Sequence, residues 1–417
     1  MSDELELPPA TLAEVPFVID TVPALRAAIG RLGEGTGPFG IDAERASGFR
    51  YSNRAYLIQI HRRGGGTHLV DPIAFDDLTE LADLLRTDEW ILHAATQDLA
   101  CLAEVGLVPT SLFDTELGSR LAGLPRVGLG TVVAELLGLH LAKEHSAADW
   151  STRPLPQSWI VYAALDVEFL PDLRDALFAR LVENGKAEIA RQEFDNLLSW
   201  RPAPPRTDPW RRLSQIQTLT APRQLAVARE LWTERDAIAR ELDMGAGRVV
   251  PDGSLIAASK LLPTSKGQLA GMSTFTGRLS RKQLDRWWAA IERGTSTEDL
   301  PPMRVRGAAL STPRNWKERH PEAYARFVAS RAEIVAIAAE LVIPVENVLT
   351  PDILRKLCWE PPTDASVAAI EAALTEAGAR AWQVDATSER IAESFADAAA
   401  HPDHYLAETP AGGDEAA

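Results

Sequence analysis

Four acidic residues and one tyrosine stand where the surrounding pattern fixes the direction of their side chains. Asp42 and Glu44 are two apart in a short apolar segment that predicts a strand, so both side chains leave the same face. Asp98 lies at the junction between a predicted strand and a helix. Tyr162 and Asp166 are four apart in a helical pattern, which places them one turn apart on one helix face. We therefore expect two carboxylates on a strand and two at separate helices.

Carboxylates brought together in this way would repel each other strongly without a positive counter-charge. A pair of Mg²⁺ or Mn²⁺ ions is the natural solution, because hard divalent cations prefer oxygen ligands. Two such ions about 4 Å apart can contact both the attacking and the leaving oxygen of a phosphodiester displacement. The chain holds 59 Asp and Glu residues, however, and an isolated Asp before a helix is usually an N-cap. The pattern alone therefore indicates nuclease chemistry but does not establish it.

Length and composition limit the class of protein. A chain of 417 residues predicts two or three domains, and 46% hydrophobic with 24% charged residues excludes a mostly disordered, collagen-like or membrane protein. Cys101 and Cys358 are far apart, so neither a disulfide framework nor a thiolate zinc site is supported. The first residues are acidic, and no apolar run approaches membrane-spanning length. We expect a soluble cytoplasmic protein, and nothing in the sequence demands more than a monomer.

Charge is strongly segregated along the chain. The net charge of −16 divides into −13 over residues 1–205, +9 over residues 206–331 and −12 over residues 332–417. Proline clusters at 202–205 and 301–302 agree with such a division. A basic middle between two acidic parts is expected when one module holds a polyanion and another does different chemistry.

The hydropathy pattern changes at the first proline cluster. Before it, strands alternate with helices, including a hairpin over 55–70, which predicts a mixed sheet with helices packed on it. Beyond residue 206 the strand signal nearly vanishes, and helical segments predict two small all-helical domains.

Three motifs resemble those of the ribonuclease D family, the tyrosine branch of the DEDD 3′→5′ exonucleases. Ile41-Asp-Ala-Glu44 is similar to the first motif, Leu92-His-Ala-Ala-Thr-Gln-Asp-Leu99 to the second and Tyr162-Ala-Ala-Leu-Asp166 to the third. The segment ahead of the third motif, with Lys143 and Arg153, also resembles the family. The likeness covers the whole chain in order.

The resemblance implies a fold and a division into domains. The basic middle is similar to an HRDC domain through Arg248-Val-Val-Pro-Asp-Gly-Ser-Leu255 and Leu262-Pro-Thr264. The expected fold class is an α/β ribonuclease H-like exonuclease domain, a mixed sheet with flanking helices, followed by two small all-α HRDC-like domains. The implied boundaries are 1–205 for the exonuclease domain, 206–300 for the HRDC domain, 301–406 for a second HRDC-like domain and 407–417 for a disordered tail.

The resemblance also implies roles for single residues. Asp42, Glu44 and Asp166 would hold one metal ion, Asp42 would bridge to a second ion, and Asp98 would assist that second ion. Tyr162 would act as a base or would position the attacking water; because an unperturbed phenol has a pKa near 10, the sequence leaves both roles open. The substrate-binding candidates, Lys143 and Arg153, are equally compatible with ordinary surface cations.

Two competing assignments arise from the sequence. Ala43 stands where the family often has Thr, and Asp114-Thr-Glu116 spells the usual first motif better. That segment follows the second motif and opens a helix, which favours an N-terminal structural role for Asp114. His93 with Asp98 mimics the third motif of the histidine branch, but only 53 residues would then separate Glu44 from Asp98, too few for the sheet and another motif.

The resemblance implies a metal-dependent 3′→5′ exoribonuclease that releases 5′-mononucleotides. Its expected substrates are transfer RNA precursors and other stable small RNAs with single-stranded 3′ ends, and its expected cofactors are two Mg²⁺ or Mn²⁺ ions. A DNA-preferring exonuclease would use the same four carboxylates and remains an alternative. A non-catalytic RNA-binding scaffold is the other alternative, although every acidic residue of the three motifs is present.

Overall fold

The structure is a computed structural model that describes residues 7–142, 145, 147–304, 310, 312–407 and 410. Its described strands form one six-stranded sheet near the beginning of the chain. They are β1 (Val18–Ile19), β2 (Thr36–Arg45), β3 (Ala55–Arg63), β4 (Gly66–Val70), β5 (Trp90–Leu92) and β6 (Leu112–Asp114).

The sheet is mixed, as predicted. Its order is β1-β4-β3-β2-β5-β6. β3 runs antiparallel to both of its neighbours, β2 and β4, whereas the other three pairs, β1–β4, β2–β5 and β5–β6, are parallel. β3 and β4 form the predicted hairpin around a glycine turn. The central strand β3 is buried along most of its length, because helices cover both faces of the sheet.

Eight helices accompany the sheet in the described part of residues 1–205. They are α1 (Val22–Glu34), α2 (Thr79–Leu85), α3 (Leu99–Glu104), α4 (Thr115–Leu121), α5 (Leu129–Leu137), α6 (Gln157–Glu168), α7 (Leu170–Glu183) and α8 (Ala187–Leu198).

A glycine on β2 lets the α6–α7 junction approach the sheet. A Cβ added at Gly40 would lie 2.9 Å from the carbonyl oxygen of Val167, so only glycine permits this contact. The close approach brings the end of α6 beside β2.

The middle of the chain is all-helical and has its own hydrophobic core. Its helices are α9 (Pro222–Glu241), α10 (Ala246–Val249), α11 (Asp252–Leu261), α12 (Lys266–Ala270), α13 (Arg278–Lys282) and α14 (Leu284–Ser296).

The middle domain contacts the loop between β2 and β3. Gly245 N–H donates to the carbonyl of Phe49 at 2.9 Å, and a Cβ at Gly245 would lie 2.3 Å from the carbonyl oxygen of Gly48. Tyr51 donates to Asp236 at 3.0 Å. The strand that carries two of the predicted acidic residues thus leads directly into an interdomain contact.

The last part is also all-helical, and its buried residues are continuous with the core of the sheet domain. Its helices are α15 (Trp316–Arg319), α16 (Pro321–Leu341), α17 (Val345–Val348), α18 (Pro351–Trp359), α19 (Val367–Glu376), α20 (Ala381–Ala400) and α21 (Pro402–Ala407). Glu193 of α8 is buried and accepts hydrogen bonds from the Arg380 guanidinium at 2.7 and 2.8 Å and from the Trp382 indole at 2.7 Å. The first and third domains are therefore joined by a buried ion pair as well as by apolar packing.

The fold class is confirmed: a mixed sheet with flanking helices is followed by helical domains. Ala407, the first residue of the predicted tail, is the last residue of α21, whose Tyr405 and Leu406 pack against the first core. Residues 408, 409 and 411–417 lie outside the described residues. Among the described helices, none is both long and apolar enough to cross a lipid bilayer.

Candidate active site

Strand β2 presents two carboxylates on one face. Asp42 pairs with Gln59 of β3 and Glu44 pairs with Leu57, so the two acidic side chains alternate with Ala43, which is buried on the opposite face. The predicted same-face arrangement of Asp42 and Glu44 is therefore what the strand geometry provides.

Asp98 is held by the turn after β5. Asp114, at the end of the neighbouring strand β6, accepts backbone N–H bonds from Ala94 at 3.0 Å and Ala95 at 2.8 Å. Ala94 has a positive φ of 62°, an unusual backbone for alanine that these bonds stabilise. Asp98 follows as the first residue before α3, is buried, and lies within hydrogen-bonding reach of Asp42.

Helix α6 supplies the other two predicted residues. Tyr162 and Asp166 lie one turn apart and their side chains are hydrogen-bonded to each other. One carboxylate oxygen from each of Asp42, Glu44 and Asp166 lies within 4.8 Å of the others. Asp98 extends this group through its contact with Asp42. We call these four carboxylates the acidic cluster: Asp42, Glu44, Asp98 and Asp166.

The acidic cluster is electrostatically unfavourable by itself. Burial, reinforced by the neighbouring carboxylates, raises the pKa of Glu44 to about 10 and the pKa of Asp98 to about 8. Burial also raises the pKa values of Asp42 and Asp166. Burial and the adjacent Asp166 raise the pKa of Tyr162 further above 10, so the phenol remains a hydrogen-bond donor at neutral pH.

The cluster lines a cleft with a volume of about 700 Å³. Arg45, directly after the first motif, also lines this cleft, and its guanidinium lies 3.6 Å from the Asp98 carboxylate. His145 lines it too, with its ring edge-on to Tyr162 at 5.9 Å between centroids. Neither residue was singled out from the sequence. The sequence signal that could have identified Arg45 is its position directly after Glu44, the last residue of the first motif.

Gln59 is the cross-strand partner of Asp42, and its side chain is fully buried on the same face of the sheet. In the described structure, neither the nitrogen nor the oxygen of its amide has a hydrogen-bond partner. A buried amide without a partner costs stability, so a bound water or ligand near Asp42 is expected to satisfy it.

The remaining predicted residues differ in position. His93 lines the cleft and contacts the Thr115 hydroxyl at 2.9 Å, and burial lowers its pKa to about 4, so it is neutral at physiological pH. Arg153 does not line the cleft. Its guanidinium donates to Asp71 at 2.6 Å and to the carbonyl of Tyr56 at 2.7 Å, which gives it a structural position. Lys143 lies outside the described residues.

Asp114 has the structural environment that the sequence favoured for it. Besides the bonds from the 94–95 turn, it caps α4 by accepting from Glu116 N–H at 2.9 Å and Leu117 N–H at 3.1 Å.

Replacing Asp114 with Ala is expected to lower the free energy of unfolding by about 2 kcal/mol or more, because several backbone donors lose their acceptor. Thermal unfolding measures this loss. The variant is still expected to be stabilised by Mn²⁺, because the acidic cluster is intact. Loss of that stabilisation would instead indicate that Asp114 is a metal ligand.

Family models match the chain in three places. Residues 16–181 match the model described as "3'-5' exonuclease", residues 224–291 match the HRDC domain, and residues 309–395 match the "3' to 5' exonuclease C-terminal domain". The first match contains the whole acidic cluster.

Individual proteins agree with these models. The chain is 31% identical over 356 residues to ribonuclease D of Acidiphilium cryptum, which covers 80% of this chain and 85% of that protein. The crystal structure of a protein from Bifidobacterium adolescentis is 37% identical, has a TM-score of 0.87, and covers 94% of this chain and 100% of that one. Escherichia coli RNase D shares the fold with a TM-score of 0.63 at 23% identity, over 91% of this chain and 98% of that one. The chain therefore belongs to the ribonuclease D family and is a 3′→5′ exoribonuclease.

Proposed function

We propose that the chain trims the 3′ ends of transfer RNA precursors and other stable small RNAs, releasing 5′-mononucleotides with the help of two divalent cations. The observation that carries this proposal is the convergence of Asp42, Glu44 and Asp166, whose carboxylate oxygens lie within 4.8 Å of one another. Belonging to the family supports the reaction class, and this geometry supports the metal requirement.

The donor set fits Mg²⁺ or Mn²⁺. Every member of the acidic cluster offers a hard oxygen ligand, and no thiolate lies among the described residues that line the cleft. Burial and mutual repulsion raise the pKa values of Glu44 and Asp98, which supports a requirement for positive charge beyond that of the protein. Asp42, Glu44 and Asp166 would hold one ion, and Asp42 with Asp98 would hold the second.

When bound, divalent cations lower the pKa of water and neutralise charge on the phosphodiester. The protein's own residues then position the reactants. Tyr162 is placed by its bond to Asp166 to orient a water molecule through the phenol. Arg45 carries positive charge into the cleft and can bind a phosphate oxygen of the substrate. Gln59 supplies an unused buried amide that can bond a water beside Asp42.

A single-stranded RNA 3′ end is the proposed substrate, because the scissile phosphate must reach carboxylates at the floor of the cleft. A folded stem should then stop trimming and set the length of the product. The E. coli relative is described as "an exoribonuclease involved in structured RNA processing", which agrees with this proposal. Lys143 and Arg153 stay proposed phosphate contacts; Arg153, which is paired with Asp71 and does not line the cleft, would contact the RNA only outside it. The enzyme is proposed to act as a cytoplasmic monomer with the domain boundaries given above.

Digestion of one RNA labelled at either end tests the reaction. With Mn²⁺, the 3′-labelled RNA should release labelled mononucleotide at once, whereas the 5′-labelled RNA should shorten stepwise. The Asp42→Ala variant should neither release mononucleotide nor shorten the RNA, and EDTA should abolish digestion by the wild type. Matched DNA tests the DNA-preferring alternative, and faster release from DNA than from RNA would contradict the proposal.

A further inference from the structure

A cavity of about 370 Å³ opens in the last helical domain, where the first turn of α16 meets the end of α18. It shares no lining residue with the active-site cleft. Its wall consists of Arg319, His320, Pro321, Glu322, Ala323, Arg326 and Trp359.

The wall of the cavity carries more positive than negative charge. Arg319 is exposed, and Arg326 is half-buried with its Nε donating to the carbonyl of Cys358 at 3.0 Å. Within the described part of the chain, neither arginine forms an ion pair with a carboxylate. Glu322 is the acidic residue in the wall, so the two guanidinium groups outnumber it. Glu322 attracts Arg326 electrostatically, but among the described residues no carboxylate lies within ion-pair distance of its guanidinium. The net positive charge of the wall favours an anionic ligand.

The cavity also offers an aromatic surface. The half-buried ring of Trp359 contacts the His320 ring edge-on, with centroids 4.3 Å apart. The buried ring of Trp316 also packs against Trp359, tilted by 50° and with centroids 5.0 Å apart. Indole and imidazole rings are surfaces on which unstacked nucleobases bind. Cations and aromatic rings around one cavity match the two parts of a nucleotide, its phosphate and its base.

The charge distribution places this cavity at the basic end of an acidic domain. Residues 301–331 contain seven Lys or Arg and two Asp or Glu, so they hold +5 of the +9 counted over residues 206–331. In the structure, α15 and the first half of α16 place residues 316–331 in the last helical domain, outside the HRDC match. More than half of the basic excess therefore lies outside the HRDC domain to which the sequence assigned it.

We propose that this cavity binds one nucleotide of a single-stranded RNA segment upstream of the 3′ end that is trimmed. Arg319 and Arg326 bind its phosphate, and its base lies against Trp359. The proposal rests on the proposed RNA-trimming function and adds an anchoring site to it.

The position of the cavity predicts that only longer RNAs use it. Helix α16 has 21 residues, so its two ends are about 30 Å apart. The cavity lies at its first turn, whereas Val342, after its last turn, accepts a hydrogen bond from Lys186 of the exonuclease domain. A dinucleotide bound in the cleft contacts none of the residues that line this cavity, so its hydrolysis should be independent of the site.

Binding of a fluorescein-labelled, unstructured RNA of about 25 nucleotides in EDTA tests the proposal, because RNA stays intact without metal. Anisotropy should show binding weakened about fivefold or more by Trp359→Leu, with recovery in Trp359→Phe, which keeps an aromatic ring. Arg319→Glu should also weaken binding severalfold and lower the slope of log K against log salt by about one.

Arg31→Glu is the matched control, because Arg31 is exposed on α1 and lines neither cavity. This variant should bind RNA nearly as the wild type does, and all variants should hydrolyse a dinucleotide with Mn²⁺ at the wild-type rate. The proposal is wrong if Arg319→Glu and Trp359→Leu bind RNA normally, if Arg31→Glu weakens binding equally, or if dinucleotide hydrolysis falls in parallel. If the wild type released no nucleotide from RNA with Mn²⁺, the proposed function would be wrong. The comparison of RNA binding by the variants in EDTA would still test the cavity.

Discussion

Asp42→Asn is expected to unfold at a higher temperature than the wild type in EDTA, although it loses exonuclease activity. Asp42 lies beside the other members of the acidic cluster, and its burial raises its pKa. Removing one ionisable carboxyl relieves both repulsion and desolvation. Because a buried charged group without a neutralising partner costs stability, we expect a gain of about 1–3 kcal/mol in the free energy of unfolding. Activity should fall at least about a hundredfold.

The stability gain should increase with pH. A carboxyl group with a raised pKa in the folded state contributes no penalty below its unfolded pKa of about 4, and it destabilises the fold as pH rises towards the folded pKa. For Asp98 that folded pKa is about 8, and for Glu44 it is about 10. The difference in melting temperature between the wild type and Asp42→Asn should therefore widen between pH 5 and 8, a range that lies between the unfolded pKa of about 4 and the folded pKa of Asp98 of about 8.

Mn²⁺ should reverse the order of stability. A ligand that binds only the folded state stabilises it by RT ln(1 + [L]/Kd), so the wild type should gain more than the variant. Asp114→Ala is the control of opposite sign, since its carboxylate accepts backbone N–H bonds and its loss should destabilise the protein. If Asp42→Asn melted below the wild type in EDTA, repulsion within the acidic cluster would not be the dominant effect of Asp42.

Two relations within the site could be predicted because local geometry fixes them. Strand alternation sets Asp42 and Glu44, and one helical turn relates Tyr162 to Asp166. The distance in space between β2 and α6 could not be derived from the spacing of residues along the sequence. It depends on the close contact of Gly40 with the α6–α7 junction. The resemblance to a family supplied this long-range information.

Contacts between domains could not be predicted from the pattern of polar and apolar residues along the chain. Glu193 lies on an amphipathic helix, and nothing in its neighbourhood indicates a buried pair with Arg380, far along the chain. Helix α20, which begins beside that pair, was not predicted. The contact of Gly245 with the β2–β3 loop likewise depends on how two separate cores meet. Such pairings are tertiary, so periodicity within a segment carries no signal for them.

The helical pattern over residues 281–292 predicts one continuous helix, and the structure differs from this expectation. The structure breaks the helix at Gln283, between α13 and α14. The break places Ser280 so that its carbonyl accepts the buried Trp287 indole N–H at 3.1 Å. A buried indole donor requires an acceptor, and this tertiary requirement overrides a continuous helical pattern.

Tyr162→Phe is expected to lower kcat about a hundredfold while the metal response and the fold stay unchanged. The substitution removes one oxygen, which donates to Asp166 and faces the cleft, and it keeps the ring contact with His145. Single-turnover hydrolysis of an RNA with saturating Mn²⁺ measures the chemical step. The Mn²⁺-induced rise in melting temperature should equal that of the wild type, because Phe removes no carboxylate.

His93→Gln is the matched variant for the competing assignment. His93 also lines the cleft, but burial lowers its pKa to about 4, and its ring contacts the Thr115 hydroxyl, which a glutamine amide can also reach. We expect this variant to keep kcat within a few-fold of the wild type, because a role in positioning the 93–98 turn needs a polar contact and not proton transfer. Normal turnover by Tyr162→Phe together with loss of turnover in His93→Gln would transfer the role of orienting water from the helix α6 phenol to the imidazole at the end of β5.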